Sequence, residues 1–246
     1  MRTLLTQLPL PSPIHEADDA NQPLAAGLLL SHAARAGALD GVEARILPVE
    51  LASTAGDRAL VAAIADFRPD LVGFSTTMWN VDRTLWVARR LREVLPGVQV
   101  VLGGPEVTPD NERLLAATGW DVLAFGEGER SFGELLRWLR SGRAAGALPL
   151  SGLLVRDAAQ PGEPQHGGPR AIGAPPPPLS DLDDLQPYLE GWLPVPVGSE
   201  ALLETTRGCR HRCRYCYYAK AHHGVSYLSL PALRRQVRFL REQGVR

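Results

Sequence analysis

The sequence predicts an α/β fold built on a doubly wound parallel sheet, and three observations point to it. Over residues 1–142, short apolar runs alternate with stretches of helical periodicity, which is the order of repeated βα units. Glycine-rich loops follow the third, fourth and fifth apolar runs. The 246 residues are 45% hydrophobic and 22% charged, an ordinary globular composition that can bury a sheet on both faces.

Five strands are predicted in this region, because each apolar run is short and rich in leucine, isoleucine or valine. They are residues 3–8, 42–47, 71–75, 98–102 and 122–125. The clearest helix covers residues 81–95, where apolar side chains recur at helical spacing after Asn80, a suitable N-cap. A closing helix follows the fifth strand and is marked by Phe132, Leu135, Leu136 and Leu139.

The loops after the third, fourth and fifth strands are the candidate ligand site of this sheet. They are Gly-Phe-Ser-x3-Trp-Asn at residues 73–80, Gly-Gly-Pro-Glu at 103–106 and Gly-Glu-Gly-Glu at 126–129. Ligands of doubly wound sheets bind outside the carboxyl ends of the strands. Glycine there lets backbone N–H groups approach a ligand, and helix N-termini favour anionic groups.

A Gly- and Pro-rich segment at residues 158–178 separates this region from the rest of the chain. It ends in four consecutive prolines, which favour a stiff polyproline II segment. The apolar run at 152–155 predicts a small hairpin strand, and residues 179–189 predict a short helical or turn-rich connection. The sequence therefore divides into a first domain at 1–145, a linker at 146–194 and a second region at 195–246.

Three cysteines near the C-terminus are the only ones in the chain, Cys209, Cys213 and Cys216, in a Cys-x3-Cys-x2-Cys run. Three thiolates can hold three irons of a [4Fe–4S] cluster and leave the fourth iron open to an outside molecule. A structural zinc site is the alternative, with His211, His222 or His223 as fourth ligand, although the run lacks the paired spacing of zinc fingers. Disulfides fit less well, since the cysteine count is odd and no signal peptide is visible.

The residues around the cysteines strengthen the cluster interpretation. Residues 202–208 are predicted to form a short strand that ends in a glycine turn just before Cys209, and Tyr215 directly precedes Cys216. This arrangement resembles the first strand and cluster loop of the radical S-adenosylmethionine (radical SAM) enzymes. With the three glycine-rich loops upstream, the whole chain resembles the cobalamin-binding domain and cluster loop of the B12-dependent radical SAM family.

The resemblance implies site residues in the first domain. Ser75 and Thr76 would face the nucleotide tail of cobalamin, Gly103 and Gly104 would make room for it, and Tyr215 would pack near the cluster-bound cofactor. The far side of the tail would be contacted by Gly126, Glu127, Gly128 and Glu129. An alternative for the two glutamates is that they stabilise the N-terminus of the closing helix through its dipole.

One element of many B12 domains, Asp-x-His-x-x-Gly after the first strand, is absent. The loop carries His15 without the flanking Asp and Gly, so we interpret His15 as a loop residue and not as a cobalt ligand. The radical SAM branch of the family commonly omits this motif. The resemblance then implies a cobalt without a protein ligand below it, which would favour methyl transfer.

The second region holds only one βα unit, with its helix predicted at 229–244, whereas a full (βα) barrel takes about 200 residues or more. We expect an incomplete radical SAM barrel, and we expect residues after 195 to be poorly ordered in isolation. Residues that would hold S-adenosylmethionine from later barrel strands are missing from this sequence, so the resemblance assigns only the cluster ligands here.

The resemblance implies a cobalamin-dependent radical SAM enzyme or a fragment of one. Its cluster would cleave S-adenosylmethionine to a 5′-deoxyadenosyl radical, and methylcobalamin would deliver a methyl group to an unreactive carbon; rearrangement or cyclisation is also known in such enzymes. The alternatives are a non-catalytic cobalamin-binding module and a zinc-stabilised flavodoxin-like regulatory domain.

Composition and resemblance also suggest partners and location. A formal net charge of −1 argues against a general nucleic-acid binder, and no apolar stretch approaches the length of a membrane span. We expect a small-molecule substrate, an electron donor such as flavodoxin or ferredoxin, and a cytoplasmic location.

Overall fold

A six-stranded sheet dominates the computed structural model, which describes residues 1–9, 21–142, 150–156, 178–211, 213–216, 218 and 224–246. Its strands are β1 (Arg2–Gln7), β2 (Glu43–Ile46), β3 (Leu71–Ser75), β4 (Gln99–Gly103), β5 (Val122–Ala124) and β6 (Leu153–Val155). The order is β2-β1-β3-β4-β5-β6, and the first five strands are parallel. The order reverses at β1, so the predicted doubly wound sheet is confirmed.

Helices cover both faces of the sheet. They are α1 (Leu24–Arg35), α2 (Val49–Thr54), α3 (Asp57–Phe67), α4 (Val81–Val94), α5 (Glu112–Ala116) and α6 (Gly128–Arg140). One buried core joins the sheet to α3, α4 and α5, and the other joins it to α1 and α6. Alternate residues of each strand serve opposite cores, as the pleat requires: Leu4 belongs to the first core and Leu5 to the second.

The apolar run at 152–155 was predicted to be a small hairpin strand, and the structure places it in the main sheet. As β6 it pairs antiparallel with β5 and extends the sheet by one strand. All three of its residues are buried, and the pairing covers an edge of β5 that would otherwise present free N–H and C=O groups. An antiparallel edge strand on a parallel sheet is a common solution to that problem.

The second region forms a hairpin and a helix. β7 (Thr206–Gly208) pairs antiparallel with β8 (Val225–Tyr227), and α7 (Leu230–Glu242) follows. The strand is shorter than the predicted 202–208, and the described residues contain no closed barrel. No helix among the described residues is long and apolar enough to cross a membrane.

The second region packs against α1 through apolar contacts. Leu28 of α1 packs in one buried cluster with Leu182 and Leu185 of the turn-rich connection and with Ala232 of α7. The Gln22 side chain, just before α1, accepts hydrogen bonds from the Tyr188 hydroxyl at 2.6 Å and from the Leu202 N–H at 2.9 Å. These contacts place the segment that leads into β7 beside the carboxyl edge of the sheet.

Candidate functional site

A cavity of about 360 Å³ lies where the sheet, α1 and α6 meet at the carboxyl ends of the strands. Its wall is mostly apolar, with leucines from α1 on one side and Phe132 and Leu135 of α6 on another. The last residue of β3 and the loops after β4 and β5 also line the cavity. This is the edge at which doubly wound sheets bind their ligands.

The cavity exists because three small residues stand side by side on the sheet. Ser75 of β3 pairs in register with Gly103 of β4, and Gly103 lies next to Ala124 of β5, since their strands are paired one residue earlier at Leu102 and Leu123. A Cβ built on Gly103 would lie 3.8 Å from the Ala124 Cβ, so the position is open. Three large side chains here would fill the space between the sheet and its helices.

Gly104 and Thr76 have a structural role beside this cavity. Gly104 has a φ of 105°, and a Cβ on it would lie 2.7 Å from the Thr76 carbonyl oxygen, so the turn requires glycine. Thr76 is fully buried; its N–H donates to the Gly103 carbonyl at 2.6 Å and its carbonyl accepts from the Glu106 N–H at 3.1 Å. The Thr76 backbone thus joins the ends of β3 and β4, while the cavity wall is formed by its neighbour Ser75 and by the glycines of the next loop.

Glu127 and Glu129 lie at the cavity mouth and belong to a buried ionic cluster. The Arg207 guanidinium donates to Glu127 at 3.0 Å, to Glu129 at 2.7 Å and to Glu204 at 2.6 Å, and only 7% of its side chain is exposed. Glu127 also accepts from the Leu179 N–H at 2.8 Å. It occupies the N-cap position of α6 but makes no capping hydrogen bond with its side chain.

Three carboxylates around one guanidinium keep Arg207 charged. Burial alone would lower its pKa, but the hydrogen bonds to Glu204 and the charge and hydrogen bond of Glu129 raise that pKa above its ordinary value. Arg207 comes two residues before Cys209. The cluster therefore joins the α6 N-terminus of the first domain to the start of the cysteine run.

Asn80 fixes the loop after β3, in a different way from the predicted helix cap. It stands at the N-cap position of α4 without a side-chain capping bond, and its Oδ1 accepts instead from the Thr77 N–H at 2.8 Å. Its Nδ2 donates to the Leu8 carbonyl at 2.8 Å and to the Ser75 carbonyl at 3.0 Å. This fully buried amide ties the exits of β1 and β3, where the strand order reverses.

Replacing Asn80 with alanine is expected to lower the free energy of unfolding by about 1–3 kcal/mol, because buried carbonyl and N–H groups lose their partners. Urea denaturation measures the change. Thr77→Val is the matched control in the same loop, since the Thr77 hydroxyl has no hydrogen-bond partner among the described residues. Equal losses in the two variants would contradict the role given to the Asn80 amide.

Two large apolar side chains beside this loop were not assigned a site role by the sequence analysis. Met78 and Trp79 follow Ser75 at the carboxyl edge and are 74% and 59% exposed. Exposed apolar side chains of this size at a ligand edge offer a surface for a flat ring system. The signal was available in the Gly-Phe-Ser-x3-Trp-Asn loop, but exposure cannot be read from sequence.

The three cysteines are free thiols on an exposed loop. Cys213 is exposed, Cys209 and Cys216 are partly buried, and a turn between Cys213 and Cys216 is closed by a backbone hydrogen bond of 3.1 Å. Across the described residues, no three His, Cys, Asp or Glu side chains are placed to hold a metal ion. The donor chemistry suits an iron–sulfur cluster, but its geometry is not formed in advance.

Tyr215 and Tyr218, two of the three tyrosines near the cysteines, lie in different surroundings. Tyr215 is 93% exposed and does not line the cavity. Tyr218 does line it, and its hydroxyl accepts a hydrogen bond of 2.9 Å from the Gly208 N–H. His15, His222 and His223 lie outside the described residues.

Comparison with known proteins finds a family model that is similar to most of the first domain. Residues 27–136 match the family described as the B12 binding domain. Two curated relatives are each 34% identical over 214 residues: a 2-(S-pantetheinyl)-carbapenam-3-carboxylate methyltransferase of Streptantibioticus cattleyicolor and the cobalamin-dependent radical SAM methyltransferase TokK of Streptomyces tokunonensis. Each alignment covers 81% of this chain but only 29% of the relative.

Solved structures show the same fold over nearly the whole chain. The radical S-adenosylmethionine methyltransferase TsrM of Kitasatospora setae, solved with cobalamin and a [4Fe–4S] cluster, matches with a TM-score of 0.63 and 20% identity. The cobalamin-dependent radical enzyme OxsB matches with a TM-score of 0.65 and 19% identity. The matches cover 99% of this chain, 46% of TsrM and 32% of OxsB.

Proposed function

We propose that the chain binds cobalamin and forms part of a cobalamin-dependent radical SAM methyltransferase. The support is the match of residues 27–136 to the B12 binding domain and the sequence similarity to the two curated methyltransferases. The chain spans less than a third of the length of those relatives. The activity proposed here is therefore that of a larger assembly or chain to which this sequence contributes the cobalamin site and the cysteine loop.

The observation that supports this proposal most directly is the cavity at the carboxyl edge of the sheet. Most of its lining residues belong to the matched range, its wall is mostly apolar, and the row Ser75, Gly103 and Ala124 leaves space between the sheet and its helices. A heterocyclic base attached through a polar chain fits such a space. We assign the cavity to the nucleotide tail of cobalamin and the exposed Met78 and Trp79 surface to the corrin ring.

The cysteine loop carries the second half of the proposal. Cys209, Cys213 and Cys216 would hold a [4Fe–4S] cluster, which supplies the electron for reductive cleavage of S-adenosylmethionine. Bound methylcobalamin would supply the methyl group for transfer to a small-molecule substrate. An external donor such as flavodoxin or ferredoxin would supply the electrons.

A second candidate is a cobalamin-binding module that carries no working cluster. The observation in its favour is that the three thiols do not converge among the described residues. The two candidates share the cobalamin site and differ only in iron content, which makes them separable by one measurement.

Anaerobic expression with hydroxocobalamin and iron, followed by cobalt, iron and zinc analysis, tests the proposal. We expect about one cobalt and about four irons per chain. Cys213→Ala is expected to keep the cobalt and lose most of the iron, because the cluster loses one of its three ligands.

His211→Ala is the matched control within the same loop. If the three cysteines hold a cluster, His211→Ala keeps the iron content of the parent chain. If a zinc site uses His211, the variant loses its zinc. Cobalt without iron in the parent chain would favour the binding module, and zinc without cobalt would rule out both candidates.

A further inference from the structure

The wall of the cavity is built by both regions of the chain. Most lining residues come from the sheet, α1 and α6, but Glu204, Arg207 and Tyr218 come from the second region. A molecule in the cavity therefore contacts residues on either side of the Cys209–Cys216 run as well as the first domain. The cobalamin domain by itself provides only part of this wall.

Arg207 fixes the chain just before the cysteine run. Its guanidinium reaches Glu127 and Glu129 across the boundary between the two regions, and both glutamates also line the cavity. Arginine can serve several carboxylates at once because its guanidinium presents five donors in a planar fork. The last residues before the cysteines are thus held against the cavity mouth.

Tyr218 fixes the chain just after the cysteine run. Its hydroxyl accepts from the N–H of Gly208, so the chain before Cys209 and the chain after Cys216 are joined at the base of the loop. Gly208 has a φ of 91°, and a Cβ there would collide with the Gly224 carbonyl oxygen, so this position requires glycine. The same Tyr218 side chain lines the cavity.

We infer that Arg207 and Tyr218 are positioning residues that couple occupancy of the cavity to closure of the cysteine loop. A ligand gains contact with both side chains only when the base of the loop is closed, so its binding stabilises the closed base. By linkage, closure of the base strengthens binding by the same factor. The inference rests on the proposed function, because it takes cobalamin as the ligand of the cavity.

Hydrogen exchange on the full 246-residue chain, purified without iron, tests the coupling. Saturating hydroxocobalamin is expected to slow exchange in the peptide covering residues 205–216 by about fivefold or more, within the usual range of coupling between sites. Residues 57–67, on the opposite face of the sheet, serve as the internal reference and should not respond.

Tyr218→Phe separates coupling from simple covering by the ligand. The ring still lines the cavity, so saturating hydroxocobalamin should still occupy it, with an affinity lowered by the linked factor. The acceptor for the Gly208 N–H is gone, so the slowing at 205–216 should be lost. Arg207→Lys keeps the positive charge but lacks the planar guanidinium with its five donors. It should also reduce the slowing of hydrogen exchange at 205–216. Arg210→Met is the control, because Arg210 is exposed, bonds the Tyr227 hydroxyl and does not line the cavity.

The outcomes distinguish the inference from the function on which it rests. Binding of hydroxocobalamin without slowing at 205–216 in the parent chain would overturn the coupling and leave the cobalamin site intact. Slowing in Tyr218→Phe equal to that of the parent would also overturn it. Failure of the parent chain to bind hydroxocobalamin at all would remove both.

Discussion

Replacement of Arg207 with methionine is expected to lower the free energy of unfolding by about 3–5 kcal/mol, the loss typical of a broken buried ion cluster. The three glutamates, whose side chains are 6–23% exposed, would lose the counter-charge that they share. The raised pKa means that Arg207 holds its proton throughout the pH range in which proteins are handled. The contribution of Arg207 to the free energy of unfolding would be lost only as the pH rises beyond that pKa.

Urea denaturation at neutral pH measures this loss. Adding Glu127→Gln and Glu129→Gln to Arg207→Met should recover much of the stability, because the excess buried charge is then removed. Arg210→Met should change the free energy of unfolding by no more than about 0.5 kcal/mol, as expected for an exposed side chain. A loss in Arg207→Met as small as that in Arg210→Met would show that the cluster does not stabilise the chain.

Replacement of Ala124 with leucine is expected to weaken cobalamin binding by at least about a hundredfold, or about 2.7 kcal/mol. The new side chain would project from the row of small residues into the cavity, next to Gly103, and would occupy space assigned to the nucleotide tail. The fold should persist, because the added apolar atoms fill an existing cavity and displace no packed side chain.

Equilibrium titration with hydroxocobalamin measures the effect, and thermal denaturation checks the fold. Ala62→Leu makes the same change on the exposed surface of α3, across the sheet, and should bind like the parent chain. If Ala124→Leu folds and binds cobalamin as tightly as Ala62→Leu does, the tail lies elsewhere and the cavity assignment is wrong.

The sheet could be predicted from sequence because each central strand is buried on both faces and is therefore apolar along its length. The five parallel strands and α4 follow the predicted ranges to within about two residues, the usual uncertainty of helix and strand ends. The α6 helix contains the four residues that mark the predicted closing helix. The pairing of β6 with β5 could not be predicted, since an apolar run of this length does not reveal its partner.

The site could be predicted in part. Gly103 and the Gly-Glu-Gly-Glu loop stand out as glycines after strands, but the role of Ala124 depends on the register between β4 and β5. The ionic cluster was hidden for a similar reason: Arg207 and Glu129 are 78 positions apart, and only the packing of the second region brings them together. The resemblance assigned Ser75 and Thr76 together to the nucleotide tail; Ser75 lines the cavity, and the contact of Thr76 with the tail stays a prediction.

The position of β1 in the sheet bears on how the first domain can be isolated. The family match starts at residue 27, after β1 and inside α1, yet β1 lies between β2 and β3 and is hydrogen-bonded to both. A fragment cut at the match boundary would lose an interior strand and expose two unpaired strand edges, which are templates for aggregation. A working fragment therefore has to include β1.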